Sequence, residues 1–259
     1  MNRRPNPLPW QYCLRTNLIQ IPILAAITVV CGSLSLLVSL FDKSGRMQQR
    51  FARVWAKGLV WGSGSSLTVR GAENLGKCPV AVYASNHTSY MDTPVVFATL
   101  PFQFRILAKK ELWPIAFIGW YLDRSGQIPI DTVNPRATLS SLGLGVKALR
   151  SGMPLFVFPE GARTLDGELQ PFLSGAAYLA IRAQVPVVPI ALSGVYDLLP
   201  MHTRHFYPAN LTLSAGEPID TTGMTVRQTD ELTLQIRNAI EALREDSKAQ
   251  VSVTASARV

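Results

Sequence analysis

Residues 80–94 read Val-Ala-Val-Tyr-Ala-Ser-Asn-His-Thr-Ser-Tyr-Met-Asp-Thr-Pro, and this stretch decides the fold. Val80 to Ser85 is an apolar, β-branched run of strand length, and Pro94 suits the first turn of a helix. Asn86 to Asp92 therefore occupies a strand-to-helix turn. On one continuous helix His87 and Asp92 would lie about 140° apart around the axis, so they can meet only if the chain bends between them. With that bend, Asp92 bonds one ring nitrogen of His87, fixes its tautomer and raises its basicity, and the other nitrogen faces a substrate hydroxyl. That pair is half of a triad in which the substrate's own alcohol is the nucleophile. The same two residues, taken alone, also read as a helix cap and a core histidine.

A second strand repeats the pattern. Pro154-Leu-Phe-Val-Phe158 runs into Pro159-Glu-Gly-Ala-Arg-Thr164, a turn at the carboxyl end of a strand, where open α/β sheets bind their ligands. Arg163 offers a planar fork suited to phosphate, and Gly161 lets the backbone approach a ligand closely. An ordinary surface turn with a Glu160/Arg163 ion pair is the alternative.

Working outward, short apolar runs alternate with helical patterns from Leu67 onward, as α/β layers require. Strands are expected at Leu67–Arg70, Val80–Ser85, Phe104–Ala108, Gln127–Ile130, Leu155–Phe158, Val187–Leu192 and Leu211–Ser214. Leu139, Leu142, Val146 and Leu149 form a helical stripe stopped by Gly152, and Gly175 to Gln184 forms a shorter helix. A late helix carries Leu232, Ile236, Ala239, Ile240 and Leu243. The small, polar tail from Lys248 to Val259 is expected to be disordered.

Four ordered blocks between about Leu67 and Asp220 resemble the glycerolipid acyltransferase family, of the 1-acylglycerol-3-phosphate acyltransferase type. Asn86-His-Thr-Ser-Tyr-Met-Asp92 is similar to its His-x4-Asp block. Lys110-Glu-Leu with Gly126-Gln-Ile-Pro-Ile-Asp131 is similar to the second, Phe158-Pro-Glu-Gly-Ala-Arg-Thr164 to the third, and Val185-Pro-Val-Val-Pro-Ile190 to the fourth. The chain departs from the family twice. Thr132 stands where Asp131 is usually followed by Arg, and Phe172-Leu-Ser-Gly175 stands where Phe-Lys-x-Gly is common. Both departures remove a cation expected near an acceptor's phosphate.

The resemblance implies a mixed α/β sheet flanked by helices. It implies transfer of a fatty acyl group from acyl-CoA or acyl-carrier protein to the sn-2 hydroxyl of 1-acylglycerol-3-phosphate. By resemblance His87 is the general base, oriented by Asp92, and no covalent intermediate or cofactor is required. Glu160, Gly161 and Arg163 would hold the acceptor's phosphate, with Asn86 and Asp131 as further substrate-binding candidates. Two other readings stay open: a different lysolipid acceptor such as lyso-ornithine lipid, and an inactive membrane-bound lipid-binding module.

The net charge of +8 on 259 residues is concentrated at one end. Residues 1–57 carry eight Lys/Arg against the single acid Asp42. They surround an uncharged run whose most apolar part, the 24 residues Leu18 to Phe41, would reach ~36 Å as a helix, enough for a ~30 Å hydrocarbon core. It is expected to be a single span kinked near Pro22, or a hairpin breaking at Cys31-Gly32-Ser33 whose basic flanks return to one anionic surface. Arg46 to Trp61 reads either as an interfacial helix or as one packed on the catalytic core. Gly62 to Ser66 reads as a flexible joint. The expected organisation is thus a membrane segment 1–61, a catalytic domain 62–247 and a tail 248–259. The resemblance further implies the cytoplasmic face of a membrane, of the bacterial inner-membrane kind.

Other chemistries find little support. Cys13, Cys31 and Cys78 are odd in number and unpaired by spacing, so neither a disulfide framework nor a zinc site is indicated. His202 and His205 lie among prolines and read as an exposed loop. There is no Gly-x-Ser-x-Gly nucleophile elbow, no phosphate-binding P-loop, and no expected nucleic-acid partner or metal. Trp113, Phe117, Ile118, Trp120 and Tyr121 crowd one region and read either as core or as the lining of an acyl groove.

Overall fold

The computed structural model describes residues 10–131, 133–203 and 205–256. In chain order the helices are α1 (Trp10–Arg15), α2 (Ile21–Val38), α3 (Arg46–Gly62), α4 (Ala72–Lys77), α5 (Asp92–Thr99), α6 (Ile118–Arg124), α7 (Pro135–Arg150), α8 (Gly175–Ala183), α9 (Val195–Leu198) and α10 (Thr229–Ser256). The strands are β1 (Ser66–Arg70), β2 (Val82–Ser85), β3 (Arg105–Lys109), β4 (Ile128–Ile130), β5 (Leu155–Val157), β6 (Val187–Ser193) and β7 (Asn210–Ala215). Every expected strand forms, within a residue or two at each end. They make one seven-stranded sheet in the order β1-β7-β6-β2-β5-β3-β4. Every pairing is parallel except β6 with β7, so the sheet is mixed.

Strand alternation splits the core into two layers, because successive side chains point to opposite faces. Val82, Ala84, Leu155, Val157 and Val187 pack with Leu142, Leu149, Leu179, Leu232 and Ile236 of α7, α8 and α10. Tyr83, Phe156, Val188, Ile190 and Leu213 pack with Ala52, Ala56, Leu59 and Val60 of α3 and Val95 and Val96 of α5. Asn134 caps α7 by accepting from Arg136 N and Ala137 N, and Gly152, in the left-handed region, ends the chain's run beyond it.

Three amino-terminal expectations are corrected. The helix does not break at Cys31-Gly32-Ser33 but runs on to Val38. Gly32 serves close packing instead: a Cβ there would lie 2.3 Å from Phe117 Cε1. The chain reverses later, where Asp42 accepts from Ser44 N and Met47 N and Gly45 adopts φ +74°, so the hairpin is α2 against α3. Near Pro22 the helix relaxes into a π turn at Thr16–Gln20, in which Ile21 N–H reaches back to Thr16 O; Pro22 has no N–H to give the preceding turn. The joint at 62–66 is also not free. Gln20 Nε2 donates to Ser63 O at 3.0 Å and Ala209 N–H to Ser65 Oγ at 3.1 Å.

At the other end, the tail expected to be disordered from Lys248 continues α10 to Ser256. Extending an existing helix avoids the cost of nucleation, so weak local propensity suffices. The stretch Cys13–Val38 is long and apolar enough to cross a membrane, and most of it is exposed.

Candidate active site

Sheet register brings the two turns together. β2 and β5 are adjacent and parallel, with Ala84 opposite Val157, so continuing both chains past their ends brings His87 level with Glu160. His87 N–H donates to Glu160 Oε1 at 2.6 Å, and Thr164 N–H donates to His87 O at 3.0 Å.

The required bend is present. The chain is irregular from Asn86 to Ser89, turns at Tyr90, and starts α5 at Asp92. Asp92 Oδ2 lies 2.8 Å from His87 Nδ1 and accepts from Thr88 N and Ser89 N at 2.6 and 2.8 Å. The Asp92 carboxylate is fully buried, and three N–H groups compensate its removal from water. Nδ1 thereby carries its proton toward Asp92, which leaves Nε2 as the basic nitrogen on the open side. The imidazole stacks on Phe158, centroids 4.0 Å apart. Ser89 Oγ donates to Leu199 O and anchors the far side of the turn.

His87 and Arg163 line one cavity of ≈ 370 Å³. Thr93, Lys109, Phe158 and Gly161 line it too, with Leu107, Ile130 and Val157 from the sheet and its margins, Leu112, Leu142 of α7 and Ala176 of α8. Arg163 lies over the Tyr90 ring, 3.9 Å from the centroid, and its buried Nε makes no hydrogen bond. Gly161 has φ +69°, a backbone conformation that favours glycine, and a Cβ there would also lie 2.8 Å from Leu173 Cδ1. Leu173 and Gly175, from the segment that lacks the family's lysine, also line the cavity.

Three candidate substrate contacts are engaged within the protein and do not line the cavity. Asn86 is buried and spends its amide on β6, donating to Leu192 O at 3.0 Å and accepting from Leu192 N at 2.8 Å. Glu160 is spent on His87 N and Gln170 N. A carboxyl group committed to two backbone donors positions the turn. Burial pushes its pKa up to about 7, against the pull of those donors and of Arg244. Arg244, from α10, donates to Gly167 O at 2.6 Å and ties down the same loop. Asp131 pairs with Lys110 and accepts from Val133 N and Asn134 N. Those contacts, Lys110 first, hold its pKa down at about 2. Thr132 lies outside the described residues.

The aromatic run does not line the cavity. Phe117 packs on Gly32, Tyr121 packs against the core layer of α3 and α5, and Trp120 is 58% exposed. Arg124 turns to Ser39 Oγ, away from any ligand. Lys109, Thr93 and Met201 line the cavity without any sequence signal, since only tertiary packing brings them there. Among the described residues no cluster of His, Cys, Asp and Glu is placed to hold a metal ion.

A family model described as Acyltransferase matches residues 66–193. A chloroplastic 1-acyl-sn-glycerol-3-phosphate acyltransferase of Brassica napus is 33% identical over 165 residues, 63% of this chain and 47% of that protein. The chloroplastic 1-acyl-sn-glycerol-3-phosphate acyltransferase LPAT1 of Arabidopsis thaliana is 34% identical over 165 residues, again 63% of this chain and 46% of its own length. The chain thus spans about half the length of these two curated relatives. The crystal structure of the 1-acyl-sn-glycerophosphate acyltransferase PlsC from Thermotoga maritima superposes with a TM-score of 0.78 at 25% identity, covering 92% of this chain and 98% of that one.

Proposed function

The chain belongs to the glycerolipid acyltransferase family, and from that premise we propose that it transfers a fatty acyl group from an acyl thioester to the sn-2 hydroxyl of 1-acylglycerol-3-phosphate at a membrane surface. The observation that carries this reading is the His87 Nδ1–Asp92 contact of 2.8 Å beside a cavity that His87 and Arg163 line together with apolar side chains. Nε2 of His87 takes the acceptor's hydroxyl proton as the oxygen attacks the thioester carbonyl. Asp92 stabilises the imidazolium that forms, and the thiolate then leaves with a proton returned from His87. The Arg163 fork binds the acceptor's phosphate. The donor is acyl-CoA or acyl-carrier protein, whose acyl chain the Leu107–Leu142–Ala176 cleft accepts. The protein works from the cytoplasmic face of a membrane, with the Cys13–Val38 helix in the lipid.

The test is His87→Ala in purified, detergent-solubilised protein, assayed with both donor types against a panel of lysolipids and the products identified by mass. Turnover should fall by ~10²–10⁴-fold with the fold intact, and Asp92→Asn should cost less. Near-normal turnover of His87→Ala would end this mechanism. A preference within the panel for a lysolipid without a phosphomonoester would replace the acceptor.

A further inference from the structure

The exposed aromatic segment before β4 has no place in the chemistry above, yet it is fastened to α2 at two points. Phe117 fills the notch at Gly32, and Arg124 reaches Ser39 Oγ at 3.4 Å. Both residue numbers rise together, and each interval spans ~10 Å of helix, so α6 runs parallel to the last turns of α2. The fastening is built at some conformational expense. Phe117 has φ +73° and ψ −53°, and Ile118 N–H bonds Ala116 O at 2.9 Å, which makes a γ-turn of the strained hand. Gly119 completes the turn, since a Cβ there would lie 1.8 Å from Trp113 O.

Phe117, Tyr121 and Arg124 follow the spacing of one helical stripe, the stripe toward α2. Trp120 lies one position off its edge and is 58% exposed; Ile118 flanks the other edge at 46%. Beside them α2 exposes Leu34 and Leu37, and the turn after it exposes Leu40. Past the end of α2 the turn carries Lys43 and Arg46, both exposed, which marks the level of anionic head groups. Trp120, one turn before Arg124, lies ~6 Å deeper along α6 than Arg124 and Ser39, on the lipid side of that basic turn, where an indole with an apolar body and an N–H donor is stable.

We propose that α6 is a second lipid-contacting element, with Trp120 and Ile118 entering the interfacial layer of the same bilayer that receives α2. The occupant is a lipid surface rather than a second copy of the chain, because the patch is continuous with the exposed apolar length of α2 and bordered by cations. Leu112, which lines the catalytic cavity, begins the segment that leads to α6, so the docking sets the cavity mouth at the lipid surface. The docking rests on the membrane reading above and not on the acyl transfer.

The experiment uses the full chain bound to phosphatidylcholine/phosphatidylglycerol vesicles whose acyl chains are brominated at shallow or deep carbons. The emission of Trp120 is taken as the difference between wild type and Trp120→Phe. Shallow bromines should quench the larger share of it and deep bromines much less. A Phe41→Trp, Trp120→Phe double variant reports the end of α2 independently. Quenching of that reporter with none at Trp120 would overturn the proposal alone, and a Trp120→Asp change in oligomeric state would then identify a second copy as the occupant. Quenching of neither would overturn the membrane reading together with it.

Discussion

Replacing Glu160 with Gln tests whether this carboxylate builds the catalytic turn. Its folded pKa is raised from 4.5 to about 7, with burial the main cause. An acid with a raised pKa keeps its proton in the native state after the unfolded chain has lost it, so stability falls as pH rises between those two values and is level above them. The slope is at most ~1.4 kcal/mol per pH unit, or on the order of 3 kcal/mol across the window. The Gln variant has no charge to bury, and its urea-unfolding free energy should lose that slope. Activity should move the other way. Two N–H groups converge on the two carboxylate oxygens, and an amide offers only one oxygen. Leaving one donor unpaired costs ~1–3 kcal/mol, roughly 5- to 150-fold in kcat if the strain falls on His87. KM for the acceptor should hold, because the carboxylate does not line the cavity. An unchanged pH slope, or a defect confined to acceptor KM, would refute this reasoning.

Arg163→Ala should remove a charge-assisted contact worth ~1.5–3 kcal/mol, a loss of roughly 10- to 150-fold in kcat/KM for a phosphate acceptor, most of it in KM; steady-state kinetics against a phosphate-free lysolipid provide the control. Asn86→Ala should leave Leu192 N–H and C=O without their partner at a cost of roughly 2–5 kcal/mol, read as a lowered unfolding midpoint with acceptor KM unchanged in whatever remains folded. Deleting residues 1–62 should abolish cooperative folding rather than release a soluble enzyme, since Ala52, Ala56, Leu59 and Val60 are core residues; a monomeric truncation with a sharp thermal transition would contradict this.

The strands were legible because their apolar runs are short, β-branched and bounded by turn residues, and the sheet buries both faces of its central strands β2, β5 and β6. The His87/Asp92 pairing was legible only with the second motif beside it, because spacing says no more than that the two can meet if the chain bends between them. Which polar side chains the backbone consumes was not. Asn86, Glu160 and Asp131 are the residue types that bind substrates and equally the types that satisfy buried N–H and C=O groups, and only the register of β2 against β5 and β6 assigns them. Gly32 was misread for a related reason. Glycine marks a breaker or a close approach, and the close approach here is to Phe117, 85 positions away in sequence. The aromatic run could not be sorted between core, cavity and surface, because it divides among all but the cavity. The Lys110–Asp131 pair shows the same limit: the second block's cation is held from its own acid, a contact between segments that spacing cannot show.

The amino-terminal hairpin is part of the architecture of the site and not an anchor appended to it. α3 packs on α5, the helix that begins with Asp92, and Arg53 Nη2 donates to Leu100 O and Phe102 O just beyond that helix's end. α2 is fixed to α3 in turn by Trp55 Nε1 on Thr28 Oγ1 at 3.0 Å and by Leu24 against Gly62. With Gln20 tying the joint at Ser63, no flexible link separates the lipid-facing helix from the helix whose first residue orients His87. On the proposed membrane reading, a chain built this way would hold its cavity at a set height and tilt over the bilayer. Under the proposed function a lysolipid would then present its hydroxyl to His87 with its own acyl chain still near the membrane, so part of the orientation that catalysis requires would be made before the acceptor binds.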